Sequence, residues 1–232
     1  MKNYRRLVED TNNLEKLFRT IEKDCQPFLR YRKALWRGLD SKGQTFGEKK
    51  VRKDRVPLAG NQEMTDFTNA FLKEKGLPRR DRSMFATPKE EYAQVFGDTC
   101  LVFPKGRSKM VWFPQIIDMN SMKYQQFGHW LKDLEDKSIF KKSFKDQVYH
   151  FQKQVLQDEM DRKSGEHWDT MFVQKGMTAY VTALEGFENK KMPPIGAKNE
   201  VIIECDSYYW IRKQFSVNDD PTDQAIERFN LK

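Results

Sequence analysis

Several common devices are missing from this chain, and each absence narrows the function. There are 3 cysteines in 232 residues (Cys25, Cys100 and Cys205), widely spaced and without a C-x-x-C pair. The 3 histidines (His129, His150 and His167) show no ligand spacing either. A structural zinc site of the usual Cys/His kind is therefore not expected. No apolar run approaches the length needed to span a bilayer. The first residues, Met1-Lys2-Asn3-Tyr4-Arg5-Arg6, lead into a charged amphipathic segment rather than an apolar signal core. The expectation is a soluble protein of a reducing cytoplasm. Neither Gly-x-Gly-x-x-Gly nor Gly-x4-Gly-Lys-Ser/Thr occurs, so a nucleotide would have to be held by another device. No Gly/Ser- or Pro-rich linker divides the chain, which favours one domain over residues 1–232.

What is present is aromatic and charged. Seventeen Phe, 8 Tyr and 5 Trp supply bulky core material despite an apolar fraction of only 38%. Lysine and arginine number 42 against 34 acidic residues, a net charge of +8. Such a surface favours anionic partners: nucleic acid, an anionic cofactor or an acidic protein. The densest cationic stretches are Lys49–Arg55 and Arg79–Arg82, which read equally as solvated loops or as phosphate contacts.

Apolar spacing predicts a helix over 4–24, from Leu7, Leu14, Leu17, Phe18 and Ile21. Residues 28–37 read as a strand ending at Gly38, and 40–60 as a long polar loop. Thr65 is placed to cap a helix reaching Lys75, stopped by Gly76 and Pro78. Ser83–Thr87 reads as a short strand. Thr87-Pro88-Lys89-Glu90 has the form of a capping box opening a helix over 88–96, with Tyr92, Ala93 and Phe96 inward. Thr99–Pro104 and Lys109–Pro114 read as a hairpin around Lys105–Ser108. Residues 120–162 are expected to be mainly helical, with a stripe of Phe144, Val148, Phe151 and Val155. A second helix is expected over 168–186. Glu200–Cys205 and Tyr208–Ile211 read as the last strands, and the chain after Ser216 as a loosely held tail. Helices and short strands mix without regular βαβ alternation, so the class is α+β.

Three separated stretches carry candidate chemistry. Leu35-Trp36-Arg37-Gly38 ends an apolar run with a planar cation beside a residue that lets backbone approach a ligand. Arg82-Ser83-Met84-Phe85-Ala86-Thr87-Pro88 sets two hydroxyls on one side of a strand. Glu200-Val201-Ile202-Ile203-Glu204 opens a core strand with a carboxylate. The order resembles the Arg–Ser/Thr–Glu pattern of the ADP-ribosyltransferase superfamily, including its phage-encoded relatives. The resemblance implies a split β-sheet core over 28–118 and 176–212, flanking helices and a helical insertion over 120–175. It implies NAD as the cofactor and a protein or nucleic acid as acceptor. Arg37 would hold the phosphates, Gly38 the nicotinamide amide through backbone, and Glu200 the catalytic position. Ser83 or Thr87 would orient that carboxylate, and Phe85 or Tyr92 would stack on nicotinamide.

Where arginine-modifying members carry a second acid two residues before the catalytic one, this chain has Lys198, so another acceptor or plain NAD hydrolysis is implied. Arg37 and Glu200 are expected on neighbouring strands facing one cleft, with the loop 187–199 selecting the acceptor through Phe187 or Glu188. The competing reading is a non-catalytic nucleic-acid-binding or virion-associated protein on a similar fold, supported by the charge, the Lys49–Arg55 run and the aromatic content.

Overall fold

The computed structural model describes residues 2–54, 56, 62–116, 138, 142–150, 153, 167–214 and 220–232. Of the middle segment expected to be helical, residues 144–150 are helical, with Phe144 buried; Phe151 and Val155 lie outside the described residues.

Helix α1 (Lys2–Asp24) buries Leu14, Phe18 and Ile21 along one side, as their spacing requires. The chain then departs from the expected long strand. Pro27 sits in the first turn of a short helix, α2 (Gln26–Leu29), and Arg32 turns the chain with φ 51°. Only Trp36–Leu39 remains as strand β1. The following loop is not structureless: β2 (Phe46–Lys50) pairs antiparallel with the last strand. Helix α3 (Gln62–Glu74) takes in Thr65, which is buried inside it rather than capping it. Its end is a left-handed Gly76 (φ +66°), with Leu77 N–H bonded to Leu72 O at 2.7 Å and Gly76 N–H to Lys73 O at 3.1 Å.

A 3-10 turn (Arg80–Arg82) precedes β3 (Met84–Ala86). The expected helix over 88–96 is split into α4 (Glu90–Ala93) and a 3-10 turn over Gln94–Phe96, leaving Phe96 58% exposed. Strands β4 (Asp98–Pro104) and β5 (Lys109–Trp112) follow, then α5 (His167–Glu185), β6 (Val201–Glu204), β7 (Ser207–Arg212) and α6 (Pro221–Arg228).

The strands form two antiparallel sheets, one ordered β1-β4-β7-β2 and the other β3-β6-β5. Strands β4 and β5 are therefore not a hairpin, because the chain changes sheet between them. The corner after β4 meets the start of β7, with Lys105 N–H donating to Ser207 O at 3.0 Å, and is tied to the end of α1 by Gly106 N–H donating to Asp24 O at 2.8 Å. The sheets touch at a seam where Trp36 of β1 bridges Thr87, one residue past β3.

Strand alternation in the smaller sheet sorts its side chains between two cores. Met84, Ala86, Met110, Trp112, Val201 and Ile203 join a first core with α1, α6 and the larger sheet. Val111 and Ile202 join a second with α3 and α5, where Phe67, Phe71, Tyr180 and Leu184 are fully covered. The C-terminal segment is not loose. Asp220 caps α6, Ala225 and Leu231 are buried, and Lys232 exchanges backbone bonds with Ala34 and Arg32.

Candidate functional site at the seam between the sheets

The seam decides which of the sequence candidates can meet. Thr87 accepts from Trp36 N–H at 2.7 Å and donates to Trp36 O at 2.8 Å through its own backbone. On its other side, β3 and β6 pair Met84 with Ile203, Phe85 with Ile202 and Ala86 with Val201. One step further along that register, Thr87 stands opposite Glu200. One step the other way, Ser83 stands opposite Glu204. Trp36 and Thr87 bridge just past the end of β3, Glu200 directly precedes β6 at that same end, and Ser83 lies at the far end.

Glu200 is met by a residue of the Arg79–Arg82 run, which reads equally as a solvated loop or a phosphate contact. Arg80 forms an ion pair with it through Nη1 and Oε1, with side chains 4% and 17% exposed. The Arg80 guanidinium carbon lies 4.5 Å from the centre of the Phe85 ring. Its backbone N–H donates to buried Asn69 Oδ1 at 2.7 Å, which ties the turn to α3. Nothing in the sequence distinguishes Arg80 from Arg79 or Arg82, since burial decides the difference. Arg79 pairs with Asp81, so Arg79–Arg82 is not a free cationic patch.

Arg37 approaches from the first core. Its Nη1 donates to the Phe85 carbonyl at 2.5 Å, and its guanidinium carbon lies 6.0 Å from the Tyr208 ring centre. Its Nε is buried without a partner among the described residues. Burial pushes the Cys100 and Cys205 thiols up to about 12, and the nearby Arg37 charge opposes that shift in both. Glu200 shares the strand parity of Ile202, in the second core. Arg37 and Glu200 therefore lie on opposite faces, with β3 between their strands. This corrects the expectation of neighbouring strands facing one cleft. What the two residues share is Phe85: Arg37 holds its carbonyl and Arg80, the partner of Glu200, covers its ring.

The other candidates have defined places. A Cβ on Gly38 would meet Ala93 O and Phe96 C, each at 2.5 Å, so the space beside this glycine is filled by the α4 segment. Ser83 is buried and its Oγ has no partner among the described residues. The Thr87 hydroxyl accepts from Lys89 N–H at 3.3 Å, a local turn rather than the expected cap, since α4 begins at Glu90 with Lys89 as its uncapped N-cap residue. The Tyr92 ring meets Phe96 edge-on at 5.6 Å. In the loop before Glu200, Phe187 packs on Phe71, and Glu188 exchanges backbone bonds with Trp112 while its side chain is half-buried. Asn199, also buried, donates from Nδ2 to the carbonyls of Phe113, Pro114 and Ile116 at 2.8, 3.2 and 3.1 Å, which fixes the chain just ahead of Glu200.

Among the described residues, no group of three or more His, Cys, Asp or Glu is placed to hold a metal ion. No described helix is long and apolar enough to cross a membrane. Comparison with protein-family models, with curated proteins and with solved structures gave no match.

Proposed function

We propose that the chain transfers ADP-ribose from NAD to a macromolecular acceptor, with water as a competing acceptor. The observation that supports this reading is that the Arg37, Thr87 and Glu200 stretches all reach the same end of β1, β3 and β6, even though Arg37 and Glu200 project to opposite faces. Two sheets joined along a β1–β3 seam suit the split core that the sequence resemblance implies. Because Arg37 and Glu200 approach from opposite faces, the dinucleotide must lie across the strand ends rather than along one face. Arg37 is the cation at that end, with Nη1 already on the Phe85 carbonyl and a buried Nε–H that has no partner among the described residues.

In the reaction the nicotinamide–ribose bond breaks, and its electron pair leaves on the ring nitrogen as neutral nicotinamide. The ribose C1′ becomes oxocarbenium-like. The Glu200 carboxylate stabilises that charge and accepts a bond from the 2′-hydroxyl. The acceptor nucleophile then bonds to C1′ and releases its proton to solvent. Thr87, opposite Glu200, is the member of the Ser/Thr pair that belongs beside the carboxylate.

The test is nicotinamide release and label transfer from NAD in a host lysate. Glu200→Gln is expected to lower turnover by a factor on the order of 10²–10³ while leaving the fold intact. A wild-type protein that consumes no NAD refutes the proposal.

The second reading, a non-catalytic nucleic-acid binder, is favoured by one feature: Lys49, Lys50, Arg52 and Lys53 are exposed on and just after the edge strand β2. It is weakened by the pairing of Lys53 with Asp206 and Arg52 with Asp54, and charge on an edge strand also guards against edge-to-edge association. Steeply salt-dependent binding without NAD consumption would select it.

A further inference from the structure

We infer that Arg80 is a positioning residue for Glu200, and this rests on the reading of Glu200 as the catalytic carboxylate. Three observations set Arg80 apart from an ordinary surface cation. Its side chain is 4% exposed. Its guanidinium plane is supported by the Phe85 ring, and its backbone is fixed to Asn69. It engages Glu200 through Oε1, and the Glu200 side chain keeps 17% exposure, with Oε2 outside that pair. A carboxylate that must stabilise a short-lived positive charge works when its orientation is set beforehand, by groups that are themselves held. Arg80 supplies that hold: Asn69 and Phe85 fix the arginine, and the arginine fixes one carboxylate oxygen. The second oxygen is thereby aimed without being consumed. The same link ties Glu200 to the strand whose carbonyl Arg37 holds, so both ends of the proposed site are referred to Phe85.

A buried Arg–Glu pair can equally be structural, so the test must separate the two roles. The measurement is kcat and KM for nicotinamide release by wild type, Arg80→Gln, Arg80→Lys, Arg80→Ala, Glu200→Gln and the double variant Arg80→Gln/Glu200→Gln, with thermal unfolding of each. Loss of orientation lowers kcat by a factor on the order of 10² with little change in KM. Arg80→Lys recovers part of the loss, because it keeps the charge without the planar fork. Guanidinium ion at sub-denaturing concentration restores turnover to Arg80→Ala. The double variant is no slower than Glu200→Gln, since both changes act through one carboxylate. An active wild type with folded Arg80 variants of unchanged kcat overturns the positioning role and leaves the transferase reading standing. The same holds if turnover falls only in proportion to folded protein. A wild type without NAD turnover overturns both.

Discussion

Gly38→Ala separates two explanations of the same glycine. In the sequence, Gly38 suggests a backbone that must approach a cofactor. In the fold, the space its missing side chain leaves is filled by protein. An added Cβ would stand 2.5 Å from Ala93 O, 2.5 Å from Phe96 C and 2.6 Å from Phe96 Cβ. Carbon atoms rest at roughly 3.5–4.0 Å, so the neighbouring segment must retreat by about 1 Å. Two of the three atoms are backbone, which has no rotamer to change. Overpacking of this kind costs about 1–3 kcal/mol, and the backbone clash places Gly38→Ala near the top of that range. In urea, with a slope of about 2 kcal/mol per molar, the unfolding midpoint should fall by about 1 M with the slope unchanged. A midpoint displaced by less than about 0.2 M would refute the packing argument. Unchanged stability with weakened NAD binding would return the glycine to the role suggested by its sequence.

Other changes test other parts of the fold. Asp220 is buried and accepts from Thr222 N–H and Oγ1–H, each at 2.8 Å, and from Gln214 N–H at 2.9 Å. Asp220→Ala removes a helix cap and strands buried donors, an expected loss of about 2–4 kcal/mol in chemical unfolding; Asp220→Asn should recover much of it, and an equal loss would deny the capping role. The three thiols are held up to about 12, mainly by burial. Their folded values lie above an unfolded value of about 8.5, so their contribution to stability is intact below that pH and is lost as pH rises towards the folded value. Titrating with a thiol reagent at neutral pH should leave the native protein unlabelled and the unfolded protein labelled at all three; rapid native labelling would contradict the burial.

The elements that could be read from the sequence are those whose partners do not matter to their form. Helix α1 follows from its apolar spacing, the stop of α3 from Gly76, and β6 from an apolar run that is buried on both faces. The errors fall where a distant partner decides. Phe46-Gly-Glu-Lys-Lys has no apolar alternation and becomes a strand because β7 offers it an edge. Lys105–Ser108 has the composition of a hairpin turn, yet β4 finds its neighbours in β1 and β7 while β5 pairs with β6. The polar C-terminal stretch looks unattached, but α6 buries Ala225 and pairs Arg228 with Glu15 and Glu22 of α1, far away in sequence.

The candidate site divides in the same way. The residue types at Arg37, Thr87 and Glu200 were visible because each sits where an apolar run begins or ends, and such places lie at the rim of a sheet. Which of two hydroxyls belongs with Glu200 was not visible, since Ser83 and Thr87 share one face of one strand. The register sets the two apart in place: Ser83 and Thr87 flank β3 at opposite ends, and Thr87 is at the end where the chain enters β6. Arg80 was hidden for a different reason. Among three nearly consecutive arginines and an acid, the one that turns inward is chosen by the 3-10 turn and by Asn69 on α3, neither of which leaves a mark in the run itself. A seam site assembled this way is sensitive to backbone pairing as much as to side-chain identity. Displacing Trp36 from Thr87 would shift Arg37 relative to Glu200 without touching either residue.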